Sequence, residues 1–236
     1  MSEISERRAN LLKNIVEEYV RTAVPVGSAH LCGQKGFDCS PATIRKEMAE
    51  LEEEGFIHQP HTSAGRVPTE LGYRYYIEHF LKAKDASAPK LESMARDLRG
   101  SAPDLRDVMK RFAKALAEFT SHTVIIGFGP TDAYYTGISN LFAKPEFIET
   151  GRVATLSSVV DRFDEVVTRI FETSNGVVVQ VGSECPFGDE CGSVIAKCTV
   201  AKTPILLTLL GPMRMPYDRL LGIAVQTKEL LEKLEE

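Results

Sequence analysis

The tract from Cys39 to Tyr76 constrains this chain more than any other. Ser40 supplies a small hydroxyl suited to capping a helix. Pro41 follows at the first helical position, where its fixed φ is favourable and its missing N–H costs nothing. Ile44, Met48 and Leu51 recur at four- and three-residue spacing and make one apolar face, and Gly55 offers the left-handed residue that commonly ends a helix. A helix from Pro41 to about Glu54 is therefore expected. Beyond it, Phe56 to Pro60 and Arg66-Val67 flank the turn-rich His61-Thr62-Ser63-Ala64-Gly65, which predicts a hairpin with Arg66 at its rim.

Opposite the apolar face of this helix lie Ala42, Thr43 and Lys46, with Arg45 on the flank. Small, hydroxyl-bearing and cationic side chains in the first two turns suit a helix end that enters a major groove and reaches base edges and phosphates. Glu50, Glu52, Glu53 and Glu54 at the other end would repel phosphate, so only the N-terminal half is fit to face a nucleic acid. Helix followed by hairpin is the order of a winged helix-turn-helix. The candidate DNA-binding residues are Ser40, Pro41, Ala42, Thr43, Arg45 and Lys46 on the helix, and His61, Thr62, Ser63 and Arg66 in the hairpin loop.

Four strings make a more specific resemblance: Gly27-Ser28, Ser40-Pro41-Ala42-Thr43-Ile44-Arg45, the run from Gln59 to Thr69, and Gly72-Tyr73-Arg74-Tyr75-Tyr76. They resemble the DNA-binding region of the heat-inducible transcription repressor family HrcA. Further on, Gly137 to Phe142 with Pro145-Glu146-Phe147, then Val181 to Glu184, then Leu210 to Tyr217, are similar to the GAF-like C-terminal part of the same family. The resemblance implies a repressor of chaperone genes acting on a CIRCE-type inverted repeat in double-stranded DNA. It also implies a homodimer, and the chaperonin GroEL as a partner that favours the active form. Family members are longer, and what is missing here falls between Thr123 and Gly137, where they carry more sheet and an inserted dimerisation region.

The expected fold is α+β: residues 1–83 as a winged helix domain, 84–90 as a linker, and 91–236 as a GAF-like α/β regulatory and dimerisation domain. Before the central helix, Leu11, Leu12, Ile15, Val16, Tyr19 and Val20 predict a helix from Ser5 to Thr22. Ser28 is positioned to cap a short helix through Leu31 to Gln34 that ends at Gly36, with Phe37-Asp38-Cys39 as the turn. After the hairpin, Thr69 caps a helix to about Lys82, in which Tyr73, Tyr75 and Tyr76 sit at the spacing of packed rather than base-stacking rings. Helical patterns cover Leu91 to Leu98, Leu105 to Phe119 and Val159 to Ile170. The second of these is equally compatible with a core and with a dimer seam. Strands are expected at Thr123–Phe128, Val177–Val181, Ser193–Val200 and Ile205–Leu210, before a last helix from Tyr217 to Leu234.

Composition limits the alternatives. A net charge of −5 argues against a lysine-coated polyanion binder, and residues 1–82 hold ten Lys and Arg against twelve Asp and Glu. Few phosphate contacts and a shallow salt dependence follow. There is no apolar signal core at the start, and the run around Ile205 to Leu210 is too short for a bilayer, so a cytoplasmic protein without membrane association is expected. Cys32, Cys39, Cys185, Cys191 and Cys198 lack knuckle spacing, and His58, His61 and His79 form no ligand set, so neither a metal nor another cofactor is expected. His58 and His79 read as structural. No Gly-rich phosphate loop or nucleophile-base set stands out, and a non-enzyme is expected.

Two other readings stay open at this point. One is a ligand- or metal-sensing regulator of other genes, in which Glu184, Arg214 and the cysteine cluster converge on a pocket of the second domain; against it stands Arg214 simply pairing with an acid. The other is a winged helix used only for protein contacts.

Overall fold

The computed structural model describes residues 4–33, 37, 40–84, 88–98, 104–148, 157, 159–200 and 202–233. The chain forms two compact units, Met1–Leu81 and Lys82–Glu236.

In the first unit, α1 (Glu6–Thr22) begins at Ser5, whose side chain accepts from the Arg8 amide, and it buries Leu11, Leu12, Ile15 and Val16. The short α2 (Ser28–Leu31) has Gly27 at its cap, so Ser28 is the first helical residue and not the cap expected; the stretch 34–36 and residues 38 and 39 lie outside the described residues. The helix α3 (Pro41–Glu53) starts as the sequence requires, with the Ser40 hydroxyl accepting from the Thr43 amide at 3.2 Å. It ends where Gly55 takes φ +81°, a backbone region that costs residues with a Cβ. Ile44, Met48 and Leu51 are buried, and each such side chain contributes roughly 1.5–3 kcal/mol relative to exposure. Next, β1 (Ile57–His58) and β2 (Val67–Pro68) pair antiparallel. A contact the sequence does not announce adds Val26, which forms an antiparallel bridge with Arg66 through two backbone hydrogen bonds of 2.8 Å. The last element, α4 (Glu70–Phe80), is capped by Thr69 and buries Tyr73, Tyr75 and Tyr76, so the three tyrosines are packing residues.

The second unit is a five-stranded sheet of order β4-β3-β7-β6-β5, formed by β3 (Thr123–Gly129), β4 (Asp132–Thr136), β5 (Val177–Val181), β6 (Cys191–Val200) and β7 (Thr203–Pro212). Every pairing is antiparallel, so this unit, expected as a GAF-like α/β domain, is of the α+β kind. The strand β4 escaped the sequence reading, because Asp132-Ala133-Tyr134-Tyr135-Thr136 is only half-buried and lacks an apolar alternation. It closes a hairpin with β3 through Pro130-Thr131, at the place where the family resemblance puts an insertion.

Helices cover both faces. On one, α9 (Phe163–Thr173) brings Phe163, Val167 and Phe171 against Ile125, Ile195, Leu206 and Leu210, with Phe147 and Phe187 completing the cluster. The other face, carrying Val124, Ile126 and Leu209, packs against α6 (Leu105–Thr120) and α10 (Tyr217–Glu232), which share contacts with α5 (Ala88–Leu98). Periodicity alone left α6 open between core and dimer seam; Met109, Phe112, Ala113 and Leu116 are buried within this unit. Two short helices, α7 (Ile138–Phe142) and α8 (Pro145–Ile148), lead out of the sheet. Of the stretch expected as a linker, 85–87 lie outside the described residues, 88–90 are already helical, and the Lys84 ammonium sits 2.7 Å from Asp218 Oδ2. Residue 234 of the expected last helix also lies outside the described residues.

Candidate nucleic-acid interface

The N-terminal half of α3 is displayed. Ser40, Pro41, Ala42, Thr43, Arg45 and Lys46 are all exposed, while Ile44 between them is buried. Ser40 and Thr43 share a hydroxyl hydrogen bond of 3.1 Å, which fixes the first turn. Arg45 makes no ion pair among the described residues, and the Lys46 side chain is 80% exposed, with Glu50 only at 3.9 Å. The helix end also points the positive end of its dipole the same way.

Three of the acids on and just after α3 are paired with arginines of the same unit. Glu47 takes Arg7 at 2.6 Å, Glu54 takes Arg8, and Glu52 takes Arg66 at 2.8 Å. These pairs offset part of the negative charge of the C-terminal half of α3, so its field at the exposed N-terminal half is weakened.

In the loop between β1 and β2, His61, Thr62 and Ser63 are exposed at the tip. Arg66 stands elsewhere. Its side chain is 19% exposed and its guanidinium donates through Nε at 2.9 Å and Nη2 at 2.8 Å to Oε2 of Glu52, so it is a tether between loop and helix and not a bare rim cation. Gln59, which the candidate site residues did not include, shares this knot. Gln59 donates its backbone amide to Glu52 Oε1 at 2.9 Å and its carboxamide to the carbonyls of Thr62 and Ala64, at 3.0 and 2.9 Å. No spacing rule links Glu52 to Arg66 across fourteen residues; only the charge signs hinted at it. His58 and His79 are both exposed, and His79 lies against the Tyr75 ring with centroids 4.1 Å apart.

The second unit does not assemble the pocket of the ligand-sensing reading. Arg214 pairs with Glu146 of α8, not with Glu184. Glu184 instead lines an open cavity of about 500 Å³ with Arg162, Arg169, Asp189 and, of the three cysteines, Cys185; Arg214, Cys191 and Cys198 are not among its lining residues. Burial pushes the Cys185 thiol up to about 11 and the Cys198 thiol up to about 12, and raises that of Cys191 further. Cys185 and Cys191 belong to the core under α9, whereas Cys198 faces Lys228 and Glu232 on the other side of the sheet. Among the described residues no three His, Cys, Asp or Glu side chains are placed to hold a metal ion, and no helix is long and apolar enough to cross a membrane. His122, buried just before β3 and beside Gly211 of β7, is pushed down to about 4 by desolvation and by the nearby cations Lys144, Arg219 and Arg214; its Nδ1–H donates to the Thr120 carbonyl at 2.6 Å.

Residues 76–221 match the family model described as the HrcA protein C terminal domain. A heat-inducible transcription repressor HrcA of Natranaerobius thermophilus is 26% identical over 324 aligned positions, covering 93% of this chain and 94% of that protein. That alignment exceeds the 236 residues present, so the relative has segments without a counterpart here. The namesake from Cutibacterium acnes is 32% identical over 87% of this chain and 55% of its own length. The one from a Nocardioides species is 46% identical over 52% of this chain and 36% of its own. Among solved structures, one described as the crystal structure of a hypothetical protein superposes with a TM-score of 0.68 at 19% identity, covering 98% of this chain and 97% of that one. This supports the fold.

Proposed function

Because the chain belongs to the HrcA family of heat-inducible transcription repressors, we propose that its first unit is a winged helix-turn-helix that binds the CIRCE-type inverted repeat ahead of chaperone genes and represses them. The observation that carries this is the exposed, cation-bearing first two turns of α3, backed by a buried face and by acids already paired elsewhere. In this reading α3 lies in the major groove with Ala42 and Thr43 toward base edges and Arg45 and Lys46 toward bases and phosphates. His61, Thr62 and Ser63 meet the flanking backbone or minor groove. Two copies on a two-fold axis match the two arms of the repeat.

The second unit, residues 82–236, serves as the regulatory and dimerisation part. Its sheet closes through Pro130-Thr131, so pairing of two copies uses surfaces other than the family's inserted region. The chaperonin GroEL is the partner that the family resemblance implies, with unfolded clients competing for it and thereby lifting repression. The test is a hydroxyl-radical footprint on the inverted-repeat duplex. Protection symmetric about the centre of the repeat, lost in Lys46→Glu while the circular dichroism is unchanged, is the expected result. A footprint indifferent to this charge reversal overturns the reading.

A further inference from the structure

The loop of residues 59–66 is held far more tightly than an exposed turn needs to be. Glu52, near the end of α3, accepts the Gln59 amide on Oε1 and the Arg66 guanidinium on Oε2. From the other side, the Gln59 carboxamide donates to Thr62 O and Ala64 O, while the Ala64 amide closes a turn onto His61 O at 2.9 Å. Arg66 exchanges both backbone hydrogen bonds with Val26. Gly65 completes the clamp: a Cβ there would lie 2.4 Å from the Val26 carbonyl carbon and oxygen, so only glycine lets the two strands approach this closely. None of these contacts uses the side chains of His61, Thr62 or Ser63, which are the exposed ones.

We propose that Gln59 and Glu52 are positioning residues for DNA binding, which lock the loop onto α3 so that loop tip and helix meet the duplex as one pre-set surface. The proposal rests on the reading of the first unit as a DNA-binding domain. Two physical effects support it. Ordering of the loop is completed on folding, so that association with DNA does not bear that entropy cost again. In addition, the Gln59 carboxamide turns the carbonyl oxygens of Thr62 and Ala64 inward, which removes two negative dipole ends from the surface that approaches phosphate. Gln59 touches no base in this account and acts only through the loop.

The test uses the whole chain and two variants. Gln59→Met keeps an unbranched side chain of similar length and adds no charge, but it cannot donate. Glu52→Ala removes the acceptor of both Gln59 and Arg66. Hydrogen exchange of the unbound protein and anisotropy titrations on the inverted-repeat duplex at several salt concentrations are the readouts. For Gln59→Met the expected result is exchange at residues 61–66 faster by about tenfold and binding weaker by about tenfold, with the slope of log affinity against log salt unchanged, because no phosphate contact is lost. Glu52→Ala is the sharper case. Removing an acid tightens binding to a polyanion if charge alone matters, whereas the lost lock weakens it. Unchanged exchange in Gln59→Met, or tighter binding by Glu52→Ala, overturns the proposal. Wild-type protein that does not distinguish the repeat from a scrambled duplex overturns the functional reading itself, and the positioning role with it.

Discussion

Nη2 of Arg66 lies 2.8 Å from Oε2 of Glu52, and this ion pair, with the Gln59 amide on Oε1 of the same carboxylate, ties the loop after β1 to the end of α3. A cation that sequence order placed at the rim of a hairpin is thereby an internal strut. The pair is partly exposed on both sides, so solvent screening limits its worth to about 1 kcal/mol. A double-mutant cycle with Arg66→Met and Glu52→Gln, read by urea denaturation, is expected to give a coupling energy of that size. Additive effects of the two changes would remove the strut from the account.

The exposed cations on α3 set a prediction about salt. In the proposed binding mode Arg45 and Lys46 are the main phosphate-facing charges, and log affinity should then fall with log salt at a slope well below that of a protein neutralising about ten phosphates. Lys46→Gln should make the slope shallower by about two, one for each copy on the repeat, without changing which duplex is preferred. Isothermal titrations across a salt series would measure it; a slope near ten would mean that other surfaces carry the charge.

Much of the first unit was legible because its signals are local. Ser40-Pro41, the Ile44–Met48–Leu51 stripe and Gly55 act within one helix, and the structure places a helix over Pro41–Glu53. What escaped was contact across the chain: Val26 pairing with Arg66, Glu52 holding both Gln59 and Arg66, and Arg214 choosing Glu146. In the second unit the strands with long apolar runs were readable. The half-buried edge strand Asp132–Thr136 was not, since an edge needs no continuous hydrophobic face. Leu210 to Tyr217, one of the strings that carry the family resemblance, does structural work: the Tyr217 hydroxyl donates to the Met213 carbonyl at 2.7 Å.

His122 makes stability depend on pH. Its folded-state value of about 4 lies below the ordinary 6.5, so between those two values the unfolded chain binds the proton that the folded chain refuses. Stability therefore falls as pH drops from about 6.5 toward 4, by about 3 kcal/mol from this group at most, and the loss levels off below 4. His122→Asn removes the titration. Urea midpoints of the two proteins at pH 7, 6 and 5 should converge on acidification, and parallel curves would contradict the burial of a neutral imidazole.

Thiol chemistry tests the core under and behind the sheet. Cys185, Cys191 and Cys198 are all less than 5% exposed, and their thiols are raised well above the ordinary range by desolvation. A buried thiol without access or thiolate character reacts slowly. At pH 8 the folded protein should leave these three unmodified by an aromatic disulfide reagent, and all five cysteines should react in denaturant. Fast labelling of Cys191 in the native state would show that the Phe163–Phe171–Phe187 cluster opens.

The central claim is that the exposed end of α3 reads a specific inverted repeat. Fluorescence anisotropy of the purified protein on the chaperone-type repeat and on a scrambled duplex of equal length, both at physiological salt, tests it most directly. A preference of about a thousandfold or more for the repeat is predicted. Equal, weak binding to both duplexes would contradict it and leave the first unit without the function assigned to it.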